Sequence, residues 1–186
     1  MAVEIVRQPI YDTMALVTDG SGVIVSQGIQ FFAIPQGQNG KTLVDTNVSV
    51  AGQLPYEEAS VVGLRFDILS RGGNISAQDM ALILNNGTLS FKKEDRIILE
   101  CPLYMIPSGM GITGFASTTD TTTTIGAVTN GMAVKTNFFD LYQPETFSKR
   151  DRLQFTINLP AITGFSHSAT FELVVVLESL IKRLYV

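Results

Sequence analysis

The pattern of apolar and polar positions along the chain is mainly that of β-strands. Its clearest part is residues 60–69, where apolar and polar side chains alternate: Val62, Leu64, Phe66 and Ile68 against Gly63, Arg65 and Asp67. A period of two predicts a strand that is buried on one face. Other runs rich in apolar and β-branched residues predict strands over residues 13–18, 23–26, 28–34, 42–50, 88–92, 96–106, 132–142, 152–159 and 168–184. The Asp-Gly step at residues 19–20 predicts that the first two of these form a hairpin.

One segment has the period of a helix instead. Residues 77–86 carry apolar side chains three and four positions apart, at Ala77, Met80, Ala81 and Leu84. Ser76 can cap the first turn, with Asp79 at the third helical position, and Gly87 follows the last turn. The pattern therefore predicts one short helix between strands.

Many short strands with a single helix predict an all-β fold, an antiparallel β-sandwich or barrel, and the strand count fits a jelly roll. A chain of 186 residues suits one domain spanning residues 1–186. Within it, we expect residues 1–20 to form an N-terminal arm or an edge strand. We expect residues 107–131, rich in glycine and threonine, to form an exposed loop or a hairpin.

A short internal echo supports this architecture. Residues 91–99 match residues 147–155 in register, since both run Phe-x-Lys-x-Asp-Arg-apolar-x-apolar. In both, a charged turn precedes an alternating strand. The echo predicts two equivalent corners in one sandwich, as paired Greek keys would produce.

Composition bears on the surface of the molecule. Charged residues make up 16% of the chain, below the roughly 25% usual for globular domains. Either neighbouring molecules cover part of the surface, or threonine, asparagine, serine and glutamine supply its polarity. The net charge of −4 gives no general electrostatic attraction to phosphate backbones, so direct nucleic-acid binding is not expected.

Few residues could perform chemistry. One histidine, His167, and one cysteine, Cys101, cannot build a zinc site or a multi-histidine centre. No Gly-x-Ser-x-Gly motif marks a nucleophile. Residues 109–114 match the dinucleotide fingerprint Gly-x-Gly-x-x-Gly, but no helix is predicted after them, so we interpret them as a flexible glycine loop. We predict a protein that is not an enzyme, with no catalytic, cofactor-binding or metal-binding residues and no cofactor.

The chain also lacks the features of export and membrane insertion. Its first residues do not resemble a signal peptide. Residues 173–181, the most apolar stretch, include Glu178 and are too few to span a bilayer. We therefore expect a protein made in a host cytoplasm.

The segment Lys-Thr-Leu-Val-Asp-Thr-Asn-Val-Ser-Val-Ala-Gly-Gln-Leu-Pro at residues 41–55, followed by the alternating strand at 61–69, resembles coat proteins of tailless icosahedral bacterial viruses. The likeness is to the small single-jelly-roll capsid proteins of membrane-containing phages, whose barrels stand vertical to the shell. It covers residues 28–184 in strand order. It implies a virion location, copies clustered into capsomers over an internal lipid membrane, and in some cases a second capsid protein.

These observations predict a structural virion protein, a capsid subunit whose partners are copies of itself. The alternative is a jelly-roll module that binds carbohydrate or a receptor, such as a viral spike domain, although the chain has no tryptophan for sugar stacking. The last predicted strand is apolar on both faces and must be covered by a second layer or by a neighbour. The predicted subunit contacts are Gln36, Asn39, Thr118, Thr121, Thr122, Ile125, Leu184, Tyr185 and Val186.

Overall fold

The computed structural model describes residues 2–18, 23–25, 27–69, 77–109, 112–116, 126–129, 136–165 and 170–185. The turn predicted at residues 19–22, the capping residue Ser76 and His167 lie outside these ranges. The strands are β1 (Ala2–Val17), β2 (Gln27–Phe31), β3 (Glu58–Leu69), β4 (Thr88–Lys93), β5 (Arg96–Pro102), β6 (Ile112–Ala116), β7 (Gly126–Thr129), β8 (Phe139–Ser148), β9 (Leu153–Leu159) and β10 (Thr170–Tyr185). The helix α1 (Ala77–Asn86) lies between β3 and β4, and a 3-10 turn (Leu103–Met105) follows β5.

Two four-stranded antiparallel sheets pack face to face. The first sheet has the order β1-β10-β3-β8, and the second has the order β2-β9-β4-β5. Strands β6 and β7 pair only with each other, as a hairpin inserted between β5 and β8. The predicted all-β class, an antiparallel sandwich with one short helix, is confirmed.

Apart from β6 and β7, the strands pair as the two arms of one long hairpin. The first pairs with the last (β1 with β10), and the pairs β2–β9, β3–β8 and β4–β5 follow inward along the chain. Two further pairings, β10–β3 and β4–β9, join these ladders into the two sheets. The sandwich therefore has the topology of one long antiparallel hairpin that folds over to form two sheets.

This winding corrects the predicted hairpin at the start of the chain. Strand β1 pairs along its whole length with β10, and not with residues 23–25, the described part of the predicted partner. Ile24 makes only an isolated bridge with Ile162. The Asp-Gly signal is local, whereas the partner of β1 lies at the other end of the sequence.

The strand predicted over residues 42–50 is also absent. The Asp45 carboxylate accepts hydrogen bonds from the Thr42 N–H (2.7 Å) and hydroxyl (2.9 Å), and the Asp45 N–H donates to the Thr42 carbonyl (3.0 Å). Such side-chain bonds favour a turn over an extended ladder. In this segment only Thr46 makes a strand-like bridge, to Asp12.

Strand β3 keeps its apolar side chains inward despite a bulge. Before the irregularity at residues 61–63, Ala59 and Val61 are buried; after it, Leu64, Phe66 and Ile68 are buried. The extra residue moves the inward row from odd to even positions. Val62, predicted to lie in the inward row, is therefore only half-buried.

Helix α1 has the predicted bounds, and its buried side chains are Met80, Ile83 and Leu84. The Gly87 N–H donates to the Ile83 carbonyl (2.9 Å), where the helix ends. The helix packs against the 3-10 turn and the β6–β7 hairpin.

The two echoing corners contact each other, with their rings in the core and their charged side chains nearer the surface. The rings of Phe91 and Phe147, which are equivalent in the echo, stack with 5.9 Å between their centroids. Lys93 Nζ lies 3.0 Å from a carboxylate oxygen of Asp151, and the Arg152 N–H donates to Glu94 (2.6 Å). Each corner therefore supplies both a ring and a charge to the other.

The chain itself covers much of the outer face of the first sheet. On β10, the outward-facing Val174 and Val176 are only 6% and 7% exposed. The Phe138 ring lies over Gly63, where an added Cβ would come within 2.2 Å of it. Arg65 Nη1 donates to the Gly109 carbonyl (3.3 Å). The segments on either side of the β6–β7 hairpin therefore cross this face, and they supply part of the second layer that the apolar strand requires.

A charged triad fixes this covering layer. The Glu178 carboxylate, on β10, lies 2.9 Å from Arg7 Nε on β1 and 2.8 Å from Arg65 Nε on β3. The Arg7 guanidinium also lies over the Phe138 ring, 4.8 Å from its centroid. The triad thus links three strands to the residues that cross them.

The outer face of the second sheet is polar and open. Along β9, the buried side chains Leu153, Phe155, Ile157 and Leu159 alternate with Gln154, Thr156 and Asn158. On the neighbouring strands, Gln30 stands beside Thr156, and Thr88 stands beside Asn158.

Candidate self-association surface

Residues 32–57 connect β2 to β3 and are called the edge loop below, and the first part of this loop, up to Asn47, packs along the free edge of β1. The contact centres on Asp12, which is fully buried and accepts hydrogen bonds from Lys41 Nζ (2.5 Å) and from the Phe32 N–H (2.6 Å). Burial raises the pKa of Asp12 above its ordinary value, although the bonds from Lys41 and Phe32 act in the opposite direction. Phe32 has a φ of 62°, and the bond to Asp12 holds this left-handed conformation in place.

Further along, the edge loop occupies the hydrogen-bonding edge of β1. Asn47 Oδ1 accepts from the Tyr11 N–H (3.0 Å), and Asn47 Nδ2 donates to the Pro9 carbonyl (2.9 Å). The Thr46 hydroxyl donates to the Tyr11 carbonyl (3.1 Å). A free strand edge would otherwise pair with other chains, so these side chains protect part of β1.

The turn at residues 42–45 holds two apolar side chains in solvent, Leu43 (59% exposed) and Val44 (72% exposed), called the apolar tip below. Asp45 fixes Thr42, the Val44 N–H donates to the Thr42 hydroxyl (3.2 Å), and the Tyr11 hydroxyl donates to the Leu43 carbonyl. A fixed backbone lowers the entropy cost of burying these side chains against a partner.

The structure places four of the predicted contact residues. Gln36 and Asn39 are exposed on the edge loop, and Asn39 lines a hollow of about 280 Å³ with Thr13 of β1. Leu184 and Tyr185 pair with Val3 and Ala2 at the other end of the β1–β10 ladder. Gln36 and Asn39 therefore lie on the edge loop, and Leu184 and Tyr185 lie on β10; these two segments flank β1. Thr118, Thr121, Thr122, Ile125 and Val186 lie outside the described residues.

The apolar tip is not predicted from the sequence, because the apolar content of residues 42–50 favours a strand there. A signal was present, since Thr42 and Asp45 bracket two apolar residues. A polar pair three positions apart, with side chains that bond to nearby backbone, is typical of a turn.

Two hollows lie on the outer face of the second sheet. One, of about 270 Å³, is lined by Gln30, Arg152, Gln154 and Thr156 among others. The other, of about 550 Å³, is shallower and is lined by Gln27, Asn86, Thr88 and Asn158 among others. Their amides and hydroxyls can hydrogen-bond a ligand. Phe31 and Phe155 border the first hollow, but both are buried in the core and offer no open ring.

Other candidate chemistry is sparse in the described part of the chain. Cys101 is half-buried, and burial raises the pKa of its thiol. Among the described residues, no group of three or more His, Cys, Asp or Glu side chains is placed to hold a metal. Strand β6 occupies residues 112–116, which corrects the predicted glycine loop, since its last three residues are extended. No described helix has the length and apolar character of a membrane span.

Comparison with protein-family models, with curated proteins and with solved structures found no match to this chain.

Proposed function

We propose that this protein is a structural subunit that assembles with copies of itself, and that it is a coat subunit of an icosahedral virus. The apolar tip carries the proposal. Two aliphatic side chains stand in solvent on a turn fixed by hydrogen bonds. Burying them against a neighbour would contribute about 25 cal/mol per Å² of apolar surface. The activity proposed is association and not catalysis.

We further infer that the sandwich is a jelly roll. The pairing of first strand with last, continued inward, is what winding one long hairpin into two sheets would produce. Jelly rolls serve in viral coats and lectins, so this inference alone leaves function open. The resemblance to phage coat proteins rests on residues 41–55, which include the apolar tip, and it favours the coat. A virion location, an internal membrane and a second capsid protein belong to the proposal on the same ground.

The test replaces the apolar tip by charge. The double substitution Leu43→Lys, Val44→Lys should weaken association by about tenfold or more, because two lysines would be desolvated at the contact. Val25→Lys is the matched control, because Val25 is 66% exposed but lies outside the edge loop. Sedimentation velocity measures association, circular dichroism checks the fold, and electron microscopy of the wild type looks for capsomers or shells.

Unchanged association of the double variant would remove the apolar tip from the contact. A wild-type protein that stays a monomer at high concentration would overturn the proposal as a whole.

A second candidate is a module that binds carbohydrate or a receptor, and the hollows on the second sheet favour it. Gln30, Gln154 and Thr156 present hydrogen-bonding groups together. Sugar sites usually add an exposed aromatic ring, whereas the highly exposed Tyr142 lies on β8 of the other sheet. A glycan array on the wild type, repeated with Gln154→Ala, separates the two functions. Glycan binding that this substitution abolishes would favour the module.

A further inference from the structure

Among the described residues, hydrogen bonds from other segments protect only part of the edge of β1. In an antiparallel ladder, alternate residues direct both N–H and C=O away from the neighbouring strand. Tyr11 is one of these residues, since the edge loop takes both of its backbone groups. The β1–β10 register runs without a break from Ala2 to Val17, so Val3, Ile5 and Arg7 face outward in the same way.

The edge loop does not reach this second part. Among the described residues, no hydrogen bond joins the outward backbone groups of Ile5 or Arg7 to another segment. The Ile5 side chain is 64% exposed. Within the described part of the chain, the outward backbone groups of Ile5 and Arg7 therefore form an uncovered strand edge, in a segment about 17 Å long that carries an exposed aliphatic side chain.

Pro9 sets the limit of this bare edge. It faces outward like Ile5 and Arg7 but has no N–H, and Asn47 already occupies its carbonyl. An added strand must therefore end before Pro9. The occupant must also be extended backbone, because a row of alternating donors and acceptors is satisfied by another strand edge.

We propose that residues 3–7 of β1 pair antiparallel with the same residues of a second copy of this chain, about a two-fold axis at Ile5. The second copy offers an identical edge, and a two-fold contact between identical edges satisfies both at once. Ile5 then exchanges two hydrogen bonds with the partner subunit's Ile5, and Val3 pairs with the partner subunit's Arg7. The first sheets of the two copies become one continuous sheet. This inference rests on the proposed self-association, and it identifies one surface through which two copies would associate.

Amide hydrogen exchange of the unmodified protein tests the pairing directly. At a concentration where the chain associates, the amides of Ile5 and Arg7 should exchange about tenfold or more slowly than in the dissociated protein. The amides of Val6 and Gln8 already face β10, so they serve as internal controls and should change little. Equally fast exchange at Ile5 and Arg7 in both states would overturn the pairing.

Two substitutions at one position separate backbone pairing from side-chain contact. Ile5→Pro removes the central N–H donor, and the β1–β10 ladder loses no hydrogen bond because this N–H faces outward. Ile5→Ala keeps the donor and removes the side chain. Association should weaken about tenfold or more for Ile5→Pro and much less for Ile5→Ala, as measured by sedimentation. An equal loss of association in the two variants would show that the contact depends on the Ile5 side chain and not on strand pairing, which would overturn the inference.

The controls keep this inference distinct from the proposed function. If the wild type associates and Ile5→Pro associates equally well, the pairing of β1 is wrong while self-association stands. If the wild type never associates, the proposed function itself fails.

Discussion

The outer faces of the two sheets are built on opposite principles. On the first sheet, Val174 and Val176 face outward and are buried under segments of the same chain. On the second sheet, the outward positions of β9 hold Gln154, Thr156 and Asn158, and the hollows there are lined by amides and hydroxyls. The covered part of the first face is therefore an internal interface, whereas the second face is open to solvent.

The difference explains why two neighbouring parts of the sequence have different patterns. Strand β9 alternates strictly because one of its faces is open, and β10 is apolar on both faces because both are covered. The contrast also indicates where the chain depends on buried charge. The triad lies on the covered face, where Glu178 and Arg65 are largely shielded from solvent, so a charge that loses its partner there is poorly solvated.

The largest expected effect is at the centre of the triad. Glu178→Ala leaves Arg7 and Arg65 without their shared carboxylate beneath the covering layer. Removing one member of a buried ionic cluster costs about 3–5 kcal/mol of unfolding free energy. Urea denaturation measures it. Gln154→Ala on the open face is the control and should change stability by less than about 0.5 kcal/mol. Equal effects on the two faces would remove the contrast.

The next effect depends on pH and concerns Asp67, which faces outward on β3 and is 1% exposed. It accepts one hydrogen bond, from the Ile68 N–H (2.8 Å), and burial raises its pKa to about 7. Between the unfolded pKa near 3.8 and pH 7, the folded state keeps a proton that the unfolded state loses. Stability should therefore fall by up to about 4 kcal/mol as pH rises through this window and level off above it.

Asp67→Asn should abolish this contribution to the slope because the amide does not titrate. Thermal melts between pH 4 and 8 measure the difference, and Asp140→Asn, at an exposed position of β8, is the control. If the variant keeps the full wild-type dependence of stability on pH, Asp67 is not responsible for it and its carboxyl is not shielded from water.

The smallest effect compares one glycine on each face. A Cβ at Gly63, on the covered face, would lie 2.2 Å from the Phe138 ring and 2.4 Å from the Phe139 carbonyl. A Cβ at Gly28, on the open face, would meet only the ends of side chains, the nearest being Asn158 Oδ1 at 3.1 Å. Gly63→Ala should cost about 1–3 kcal/mol, and Gly28→Ala should cost less, as chemical denaturation can measure. Similar costs would mean that Phe138 moves away easily.

Local patterns predicted those elements that local energetics determine. Helix α1 and strand β3 are predicted correctly because the spacing of apolar residues within each segment has the period of a helix or of a strand. The pairing of β1 with β10 could not be predicted, because no local pattern in residues 2–17 indicates that the partner strand lies about 170 positions away. Residues 42–50 were assigned wrongly because their apolar content outweighed the bonds between Thr42 and Asp45.

The candidate surface was predictable to a similar degree. The sequence singled out Gln36 and Asn39 from a glycine-rich loop, and Leu184 and Tyr185 from an apolar segment. It could not reveal that these residues lie on the two segments that flank β1, because long-range strand pairing brings those segments to β1. The bare edge at Ile5 was invisible for the same reason, because it depends on how far the edge loop reaches along β1.

Sedimentation of the purified wild type over a wide range of concentration measures self-association itself. A coat subunit should form species much larger than the 20.2 kDa chain, and their average mass should grow with concentration. A single 20.2 kDa species at every concentration, up to the limit of solubility, would contradict this expectation.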